Sequence, residues 1–353
     1  ATGMVGQNLL DLLHSHPWFE VIDLAASERS AGLRFEKSVE GRWHRPTDIP
    51  ERLRDLVVRD VNDFNSIPDL VTCVFSAVDM GDKRTTQELE FEYAKRGYAV
   101  ISTDSANRQV DDVPLIIPEI NPHHMEVIDV QQTNRGLPKT GFVAVNPNCS
   151  IQSYIVVLDA LKKANHPVEI VQVTTLQALS GAGHKGLSSP ELRENVVPFI
   201  SGEERKSEEE PLKIFGTVTE RGIAPSTDIK INAVCTRVPV IDGHTGVVHI
   251  KFSKKAPTLE RFKSILTEYR SRPQELDLPS APKFPIVVRD EENRPQPTLD
   301  RNNQDGMAVT VGRISKDRFF DIRFIGLSHN TLRGASGGAI LMAELLVDSD
   351  YIS

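Results

Sequence analysis

The stretch Gly141-Phe142-Val143-Ala144-Val145-Asn146-Pro147-Asn148-Cys149-Ser150 ends one kind of sequence and begins another. Gly141 to Val145 is a short apolar run with β-branched residues, the pattern of a buried strand. Beyond it, Ile151, Ile155, Val156, Leu158 and Leu161 recur at helical spacing up to Ala164. One thiol, Cys149, therefore stands between a strand and a helix start. There it lies near orphan backbone N–H groups and the positive end of a helix dipole, which favour a thiolate. The same N–H groups suit the oxyanion formed when a thiolate attacks a carbonyl. A buried, inert cysteine is the plainer alternative for an isolated thiol, so the surrounding sequence has to decide.

Upstream, strands and helices alternate. Ala1-Thr2-Gly3-Met4-Val5-Gly6 leads into a short helix over 7–13, stopped near Pro17. Residues 19–26, 70–76 and 99–102 read as buried strands, with a helix over 83–96 between the last two. This alternation predicts an α/β, doubly wound (Rossmann-like) domain. Downstream, residues 168–179, 228–241, 246–252, 307–315 and 319–326 read as strands, and 150–163, 190–200 and 258–270 as helices. That composition predicts an α+β domain with a mostly antiparallel or mixed sheet. Residues 330–338, rich in small side chains, open a last helix through Leu346 that is expected to pack back on the first domain. The expected domains are thus 1–148 plus 330–353, and 149–329. The charge-dense 202–211 and the polar 289–305 read as loops.

Composition narrows the class. At 353 residues the chain is long enough for two cores. A formal charge of −8 argues against nucleic acid or an anionic membrane as the main partner. No apolar run reaches the length of a membrane span. Cys73, Cys149 and Cys235 lie far apart, without disulfide or metal-ligand spacing, which fits a reducing compartment and a cytoplasmic location. His123-His124 reads as a surface turn and no metal site is expected.

Several motifs carry chemistry. Gly3 and Gly6 are spaced like the second and third glycines of a dinucleotide-binding turn, although a simple packing turn has the same spacing. The first glycine and its strand are not in the sequence, which predicts a parallel sheet without a central strand. After the strand ending at Ala26, Ser27, Arg29 and Ser30 offer two hydroxyls and a cation suited to a ribose 2′-phosphate, while Glu28 suits the 2′-hydroxyl instead. His244, following Gly243 at a strand end, has the character of a proton-exchanging side chain. Arg237, seven residues earlier, offers a bidentate carboxylate fork. Gln177-Ala178-Leu179-Ser180-Gly181-Ala182-Gly183 resembles a substrate-contacting loop. Glu203 and Lys206, three apart, put an anion and a cation on one helical face, but Glu210 and Lys213 repeat that spacing.

Taken together, these residues resemble the aspartate-β-semialdehyde dehydrogenase family, in its archaeal and fungal branch. The resemblance spans the chain: Ala1 to Gly6, Ser27 to Gly32, Asn107-Arg108, Pro118-Glu119-Ile120-Asn121, Asn146 to Ser150, Gln177 to Gly183, Gly202 to Lys206, Arg237 to His244 and Asn330 to Gly338. It implies that Cys149 is a nucleophile and His244 its acid–base partner. Arg237 would hold the substrate carboxylate, Glu203 its ammonium group, and Arg108 and Lys206 its phosphate. Asn148 and Gln177 would position the acyl group. The implied cofactor is NADP (NADPH), with Thr2, Gly3, Met4, Val5, Ser27, Arg29, Ser30, Ser76, Ser180, Gly181 and Asn330 as contacts. Leu33 departs from the lysine that many relatives carry after the equivalent of Gly32. The implied reaction reduces L-β-aspartyl phosphate to the semialdehyde and phosphate, on the way to threonine, methionine and, where present, lysine. A homodimer or homotetramer is implied as well. Two other readings are a related acyl-phosphate reductase, such as one for N-acetyl-glutamyl phosphate, and a nucleotide-binding scaffold without catalysis.

Overall fold

The computed structural model describes residues 1–192 and 194–353, the side chain of Lys185 excepted. The helix Met4–Leu13 opens the chain and buries Leu9, Leu10 and Leu13. Strand β1 (Leu24–Ala26) pairs in parallel with β2 (Val58–Asp60). Strands β3 (Cys73–Ser76), β4 (Ala99–Ser102) and β5 (Phe142–Val145) form a parallel sheet in the order β3-β4-β5. Every residue of β4 and β5 is buried, as in strands covered on both faces. The helix Lys83–Lys95 crosses from β3 to β4, its N-terminus capped by Asp82, which accepts the Thr85 N–H at 3.0 Å.

The two parallel sheets do not bond to each other. Between β1 and β3 runs a cleft of about 730 Å³, walled by Leu24, Ala26, Val61, Cys73 and Phe75.

After β5 come β6 (Val168–Gln177), β7 (Thr217–Thr219), β8 (Gly222–Ala224), β9 (Lys230–Arg237), β10 (His244–Phe252), β11 (Ile286–Val288), β12 (Val309–Lys316) and β13 (Ile322–Ser328). Six of these form one sheet, ordered β11-β12-β13-β10-β6-β9, while β7 and β8 make a separate antiparallel ribbon. The large sheet is mixed: β11/β12 and β6/β9 are parallel, and the remaining neighbours antiparallel. Val171, Val173, Val248, Ile250 and Phe324 on one face share a core with Leu158 and Leu161 of the helix Ile155–Lys163 and Phe262 and Leu266 of the helix Leu259–Glu268. On the other face Ile170, Gln172, Thr174 and Leu176 are only half-buried. The last helix, Gly337–Asp348, returns to the parallel sheet, where Ile340, Leu341 and Leu345 pack with Leu9, Leu13, Ile101, Phe142 and Ala144.

Several local expectations are corrected. The strands expected over 19–26 and 70–76 are shorter, at Leu24–Ala26 and Cys73–Ser76. The helix expected from 150 is a 3-10 turn over Ile151–Ser153, and the α-helix starts at Ile155. Residues 190–200 do not form a helix. A 3-10 turn covers Pro190–Leu192, and Val197 then exchanges both main-chain bonds with Arg237, at 2.9 and 2.8 Å. Arg193 lies outside the described residues. Conversely, 202–211 is no loop: Glu203–Ile214 is a helix whose buried stripe includes Glu203, Ser207 and Glu210. Its inward face is polar, so hydrophobic periodicity does not reveal it. Within 289–305, Pro297–Asp300 forms one helical turn. The final helix is preceded by a π-helical segment, Leu332–Ser336. His124 is no surface residue but fully buried, bonded to Asn121 at 2.9 Å and the Gly216 carbonyl at 3.2 Å.

Candidate active site

Chain direction out of β5 sets the thiol. The peptide plane between Pro147 and Asn148 is held from both ends. Its carbonyl accepts from Asn146 Nδ2 at 3.1 Å, and its N–H donates to Glu210 Oε2 at 2.6 Å. Asn146 Nδ2 also donates to the Gly334 carbonyl at 3.0 Å. A side chain at Gly334 would place its Cβ 2.6 Å from that of Cys149, which accounts for glycine there. The expected helix-terminus effect is corrected, because the α-helix begins six residues after Cys149. Nearby amides are also engaged: Asn148 N–H with Glu210, and Ser150 N–H with Asn148 Oδ1 at 2.7 Å.

The thiol is instead governed by side chains. Cys149 Sγ lies 3.3 Å from His244 Nε2. His244 opens β10 and is fully buried, and its Nδ1 accepts the Ala178 N–H at 3.0 Å. Because a backbone amide can only donate, the neutral ring carries its proton on Nε2 and presents it to the sulfur. Burial, then the charge of Arg237, pushes His244 down to about 3. Burial, then Glu203, pushes the Cys149 thiol up to about 12, against the pull of Arg108, Arg237 and Lys206. The resting pair is therefore a neutral thiol and a neutral imidazole, not the thiolate expected from the sequence.

Opposite charges surround this pair. Glu203 accepts from Asn148 Nδ2 at 3.0 and 3.2 Å, from Gln177 Nε2 at 3.2 Å and from Lys206 Nζ at 2.7 Å. Burial pushes its carboxyl up, but Lys206, Asn148 and Gln177 together leave it below its ordinary value. Arg237, at the end of β9, donates from Nη1 to the Ala178 carbonyl at 2.8 Å. Arg108 donates from Nη2 to the Thr103 carbonyl at 2.9 Å, and its buried Nε has no partner. The second pair faces elsewhere, and Lys213 Nζ donates to the carbonyls of Arg108 and Val110, at 2.9 and 2.6 Å. Geometry thus separates Glu203 and Lys206, beside the thiol, from Glu210 and Lys213 behind it.

The residues expected to touch a dinucleotide divide in the same way. Gly3 caps the helix Met4–Leu13 in extended conformation, and no atom lies within 4 Å of where its Cβ would be. At Gly6, by contrast, a Cβ would come 2.6 Å from the Ala1 carbonyl oxygen, so Gly6 serves packing. Thr2, Met4 and Val5 surround this open turn, with Ser27 and Arg29 exposed after β1 and Ser30 buried beneath them. Asn330 ties two loops together, donating to Ser180 Oγ at 2.8 Å and accepting from Gly243 N–H at 2.8 Å. Ser76 differs from the rest: its hydroxyl donates to the buried Glu90 at 2.7 Å. The open glycine turn and the exposed Arg29 fit a dinucleotide phosphate.

Residues 1–128 match the semialdehyde dehydrogenase NAD binding domain, and residues 158–333 the semialdehyde dehydrogenase dimerisation domain. An aspartate-semialdehyde dehydrogenase of Archaeoglobus fulgidus is 42% identical over 352 residues, covering 100% of this chain and 97% of that one. The chain belongs to the aspartate-semialdehyde dehydrogenase family. A family member from Cryptococcus neoformans is likewise 42% identical, over 100% of this chain and 96% of its own. The crystal structure of the Candida albicans aspartate semialdehyde dehydrogenase with NADP superposes with a TM-score of 0.87 at 38% identity, covering 99% of this chain and 97% of that one.

In this family member the structural roles of three residues escape sequence reasoning. Glu210 looks equivalent to Glu203 by spacing, yet it bonds the main chain of Asn148. Ala178 contributes only its backbone, to His244 and Arg237. Gly181 owes its identity to sterics, since a Cβ there would lie 2.7 Å from Arg237 Nη1 and 2.9 Å from His244 Cε1. The small-residue run from Ala178 to Gly183 is the only signal for either loop residue.

Proposed function

We propose that this chain is an NADP-dependent oxidoreductase that converts L-β-aspartyl phosphate reversibly to L-aspartate-β-semialdehyde and phosphate through a thioacyl-enzyme on Cys149. One observation carries the reading: Cys149 Sγ sits 3.3 Å from His244 Nε2, with Arg108, Arg237, Glu203 and Lys206 all acting on the thiol. A carboxylate and two kinds of cation around one nucleophile match a substrate with an ammonium, a carboxylate and a phosphate. Glu203 takes the ammonium group and Arg237 the α-carboxylate, while Arg108 and Lys206 hold the phosphate. Asn148 and Gln177, both tied to Glu203, orient the acyl group.

In the reductive direction the Cys149 sulfur attacks the acyl carbon and gives up its proton to the departing phosphate, and as the carbon–oxygen bond breaks the phosphate leaves into the cations. Nε2–H of His244 faces the sulfur, so it also meets the oxygen on the attacked carbon and stabilises negative charge there. The proton that ends on that oxygen passes through the imidazole, and proton uptake at Nδ1 displaces the Ala178 amide; as the carbon–sulfur bond breaks to free the aldehyde, that proton returns through the imidazole to the Cys149 sulfur. When bound, NADPH supplies the hydride. Thr2, Gly3, Met4 and Val5 would hold its pyrophosphate, Ser27, Arg29 and Ser30 its 2′-phosphate, and Ser180, Gly181 and Asn330 the nicotinamide end. Ser76 would contribute main chain only.

The domains are read as 1–148 plus 330–353 for the dinucleotide and 149–329 for catalysis and dimerisation. The half-buried sheet face with Ile170, Thr174 and Leu176 supports an isologous homodimer, with a homotetramer as its natural doubling. No described helix is long and apolar enough to cross a membrane. The three free cysteines support a cytoplasmic, reducing location. The test is reduction of NADP by L-aspartate-β-semialdehyde with and without phosphate. Turnover that requires phosphate supports the reading, and phosphate-independent turnover or none by the folded protein opposes it.

A further inference from the structure

The helix Glu203–Ile214 carries a second carboxylate aimed at the nucleophile's own backbone. Glu210 is 1% exposed. Its Oε2 accepts the Asn148 N–H at 2.6 Å, and its Oε1 lies 3.4 Å from Arg108 Nη1. One turn on, Lys213 clasps the main chain of Arg108 and Val110. The same helix therefore fixes both the peptide before Cys149 and the arginine assigned to phosphate. Arg108 is otherwise incompletely satisfied, with its Nε buried and unpartnered. Burial pushes the Glu210 carboxyl up, and Arg108 together with the Asn148 amide opposes that push. At 3.4 Å the contact with Arg108 is long for a charge-assisted bond, so Glu210 offsets the guanidinium's charge without claiming its whole fork.

We propose that Glu210 is a positioning residue that sets phosphate affinity, acting as the resident counter-ion of Arg108 while it locks the Asn148 peptide. The proposal rests on the assignment of Arg108 to the phosphate site. Its chemical sense lies in turnover. Phosphate is released in the reductive direction, and a fully unopposed Arg108 would retain it. A carboxylate behind Arg108 weakens the field felt by a dianion and so favours release. The structure also couples the two jobs, because the carboxylate that tempers Arg108 orients the chain entering Cys149.

The test compares Glu210→Gln, Glu210→Asp and Arg108→Leu by steady-state kinetics with L-aspartate-β-semialdehyde, NADP and inorganic phosphate. Glu210→Gln keeps the shape and an oxygen for the Asn148 amide but removes the charge. Its KM for phosphate should fall by about tenfold, and phosphate should inhibit the reductive reaction at correspondingly lower concentration. Glu210→Asp keeps the charge, so its phosphate KM should stay near that of the unaltered protein even if kcat drops. A purely structural role would lower kcat or raise KM in both variants and would never tighten phosphate. Unchanged or raised phosphate KM in Glu210→Gln, at an unchanged melting temperature, overturns the proposal. If Glu210→Gln does not fold, a phosphate KM that falls in Glu210→Asp overturns it instead. Arg108→Leu separates the two levels of inference. If it leaves phosphate KM untouched, the assignment of Arg108 fails; if it raises KM while Glu210→Gln changes nothing, only the role of Glu210 fails.

Discussion

Replacing Gly181 by alanine puts a methyl carbon 2.7 Å from Nη1 of Arg237 and 2.9 and 3.0 Å from Cε1 and Nε2 of His244. Ordinary contact begins near 3.4 Å, so the guanidinium has to retreat by about 0.7 Å and the imidazole by about half an ångström. Neither is free to do so. Both are tethered to Ala178, Arg237 through its carbonyl at 2.8 Å and His244 through its N–H at 3.0 Å. A retreat breaks one of these bonds, or opens the 3.3 Å contact between His244 and Cys149. A misplacement approaching 1 Å at reacting groups costs about 10²-fold, so kcat/KM should fall by that factor, or about 2.7 kcal/mol of transition-state stabilisation. The assay is phosphate-dependent reduction of NADP by the semialdehyde, with the melting temperature measured alongside. Activity within about twofold of the unaltered protein, at an unchanged melting temperature, would refute the argument that close packing of Arg237 and His244 dictates glycine at 181.

Other consequences follow from charge and burial. Glu203 raises the Cys149 thiol, so Glu203→Gln should lower it, and alkylation by iodoacetamide should rise at lower pH than before; an unmoved profile would remove Glu203 from the control of the thiol. Burial holds His124 down to about 4 against an ordinary value of 6.5. The unfolded chain therefore takes up a proton that the folded one refuses, and stability is lost as pH falls from about 6.5 to about 4, by about 3 kcal/mol for this group. His124→Asn should flatten that dependence in urea melts between these limits, leaving the share of His244 and His329, which are depressed in the same direction. Arg333 and Glu119 form a buried ion pair at 2.7 Å, with Nε and Nη2 of Arg333 unpartnered. Arg333→Met should cost about 3–5 kcal/mol by leaving Glu119 uncompensated, and adding Glu119→Gln should recover part of it in a double-mutant cycle.

The layout of the fold is legible wherever burial follows a period. β4 and β5 are apolar on both faces, and β6 and β10 alternate, so their positions stand close to where the pattern puts them. The helix Glu203–Ile214 is not legible, because the face it buries carries Glu203, Ser207 and Glu210. Burial there serves a site rather than a core, and hydrophobic periodicity is blind to it. The 190–200 segment misleads in the opposite sense: its apolar residues suggest a helix, yet Val197 pairs at the edge of β9, a long-range choice that no local pattern records. Among the candidate site residues, Cys149, His244, Arg237 and Asn148 are marked by motif. The form of the thiol is not, since a dipole argument ignores desolvation, and burial is a property of the folded chain.

A small separate core makes the molecule mechanically unequal. β1 and β2 share a small core of their own, with Leu10, Phe35, Leu53 and Val58, whereas the thiol, imidazole and carboxylates are borne by segments around the mixed sheet. Such a subunit of the fold opens at a lower free energy than its surroundings. Hydrogen exchange should therefore be fastest at the amides of β1 and β2, and slow at those of β6 and β10. Two clocks of inactivation result. On mild warming, dinucleotide-dependent turnover is lost first, while Cys149 still meets His244 and reacts with alkylating agents at its native rate.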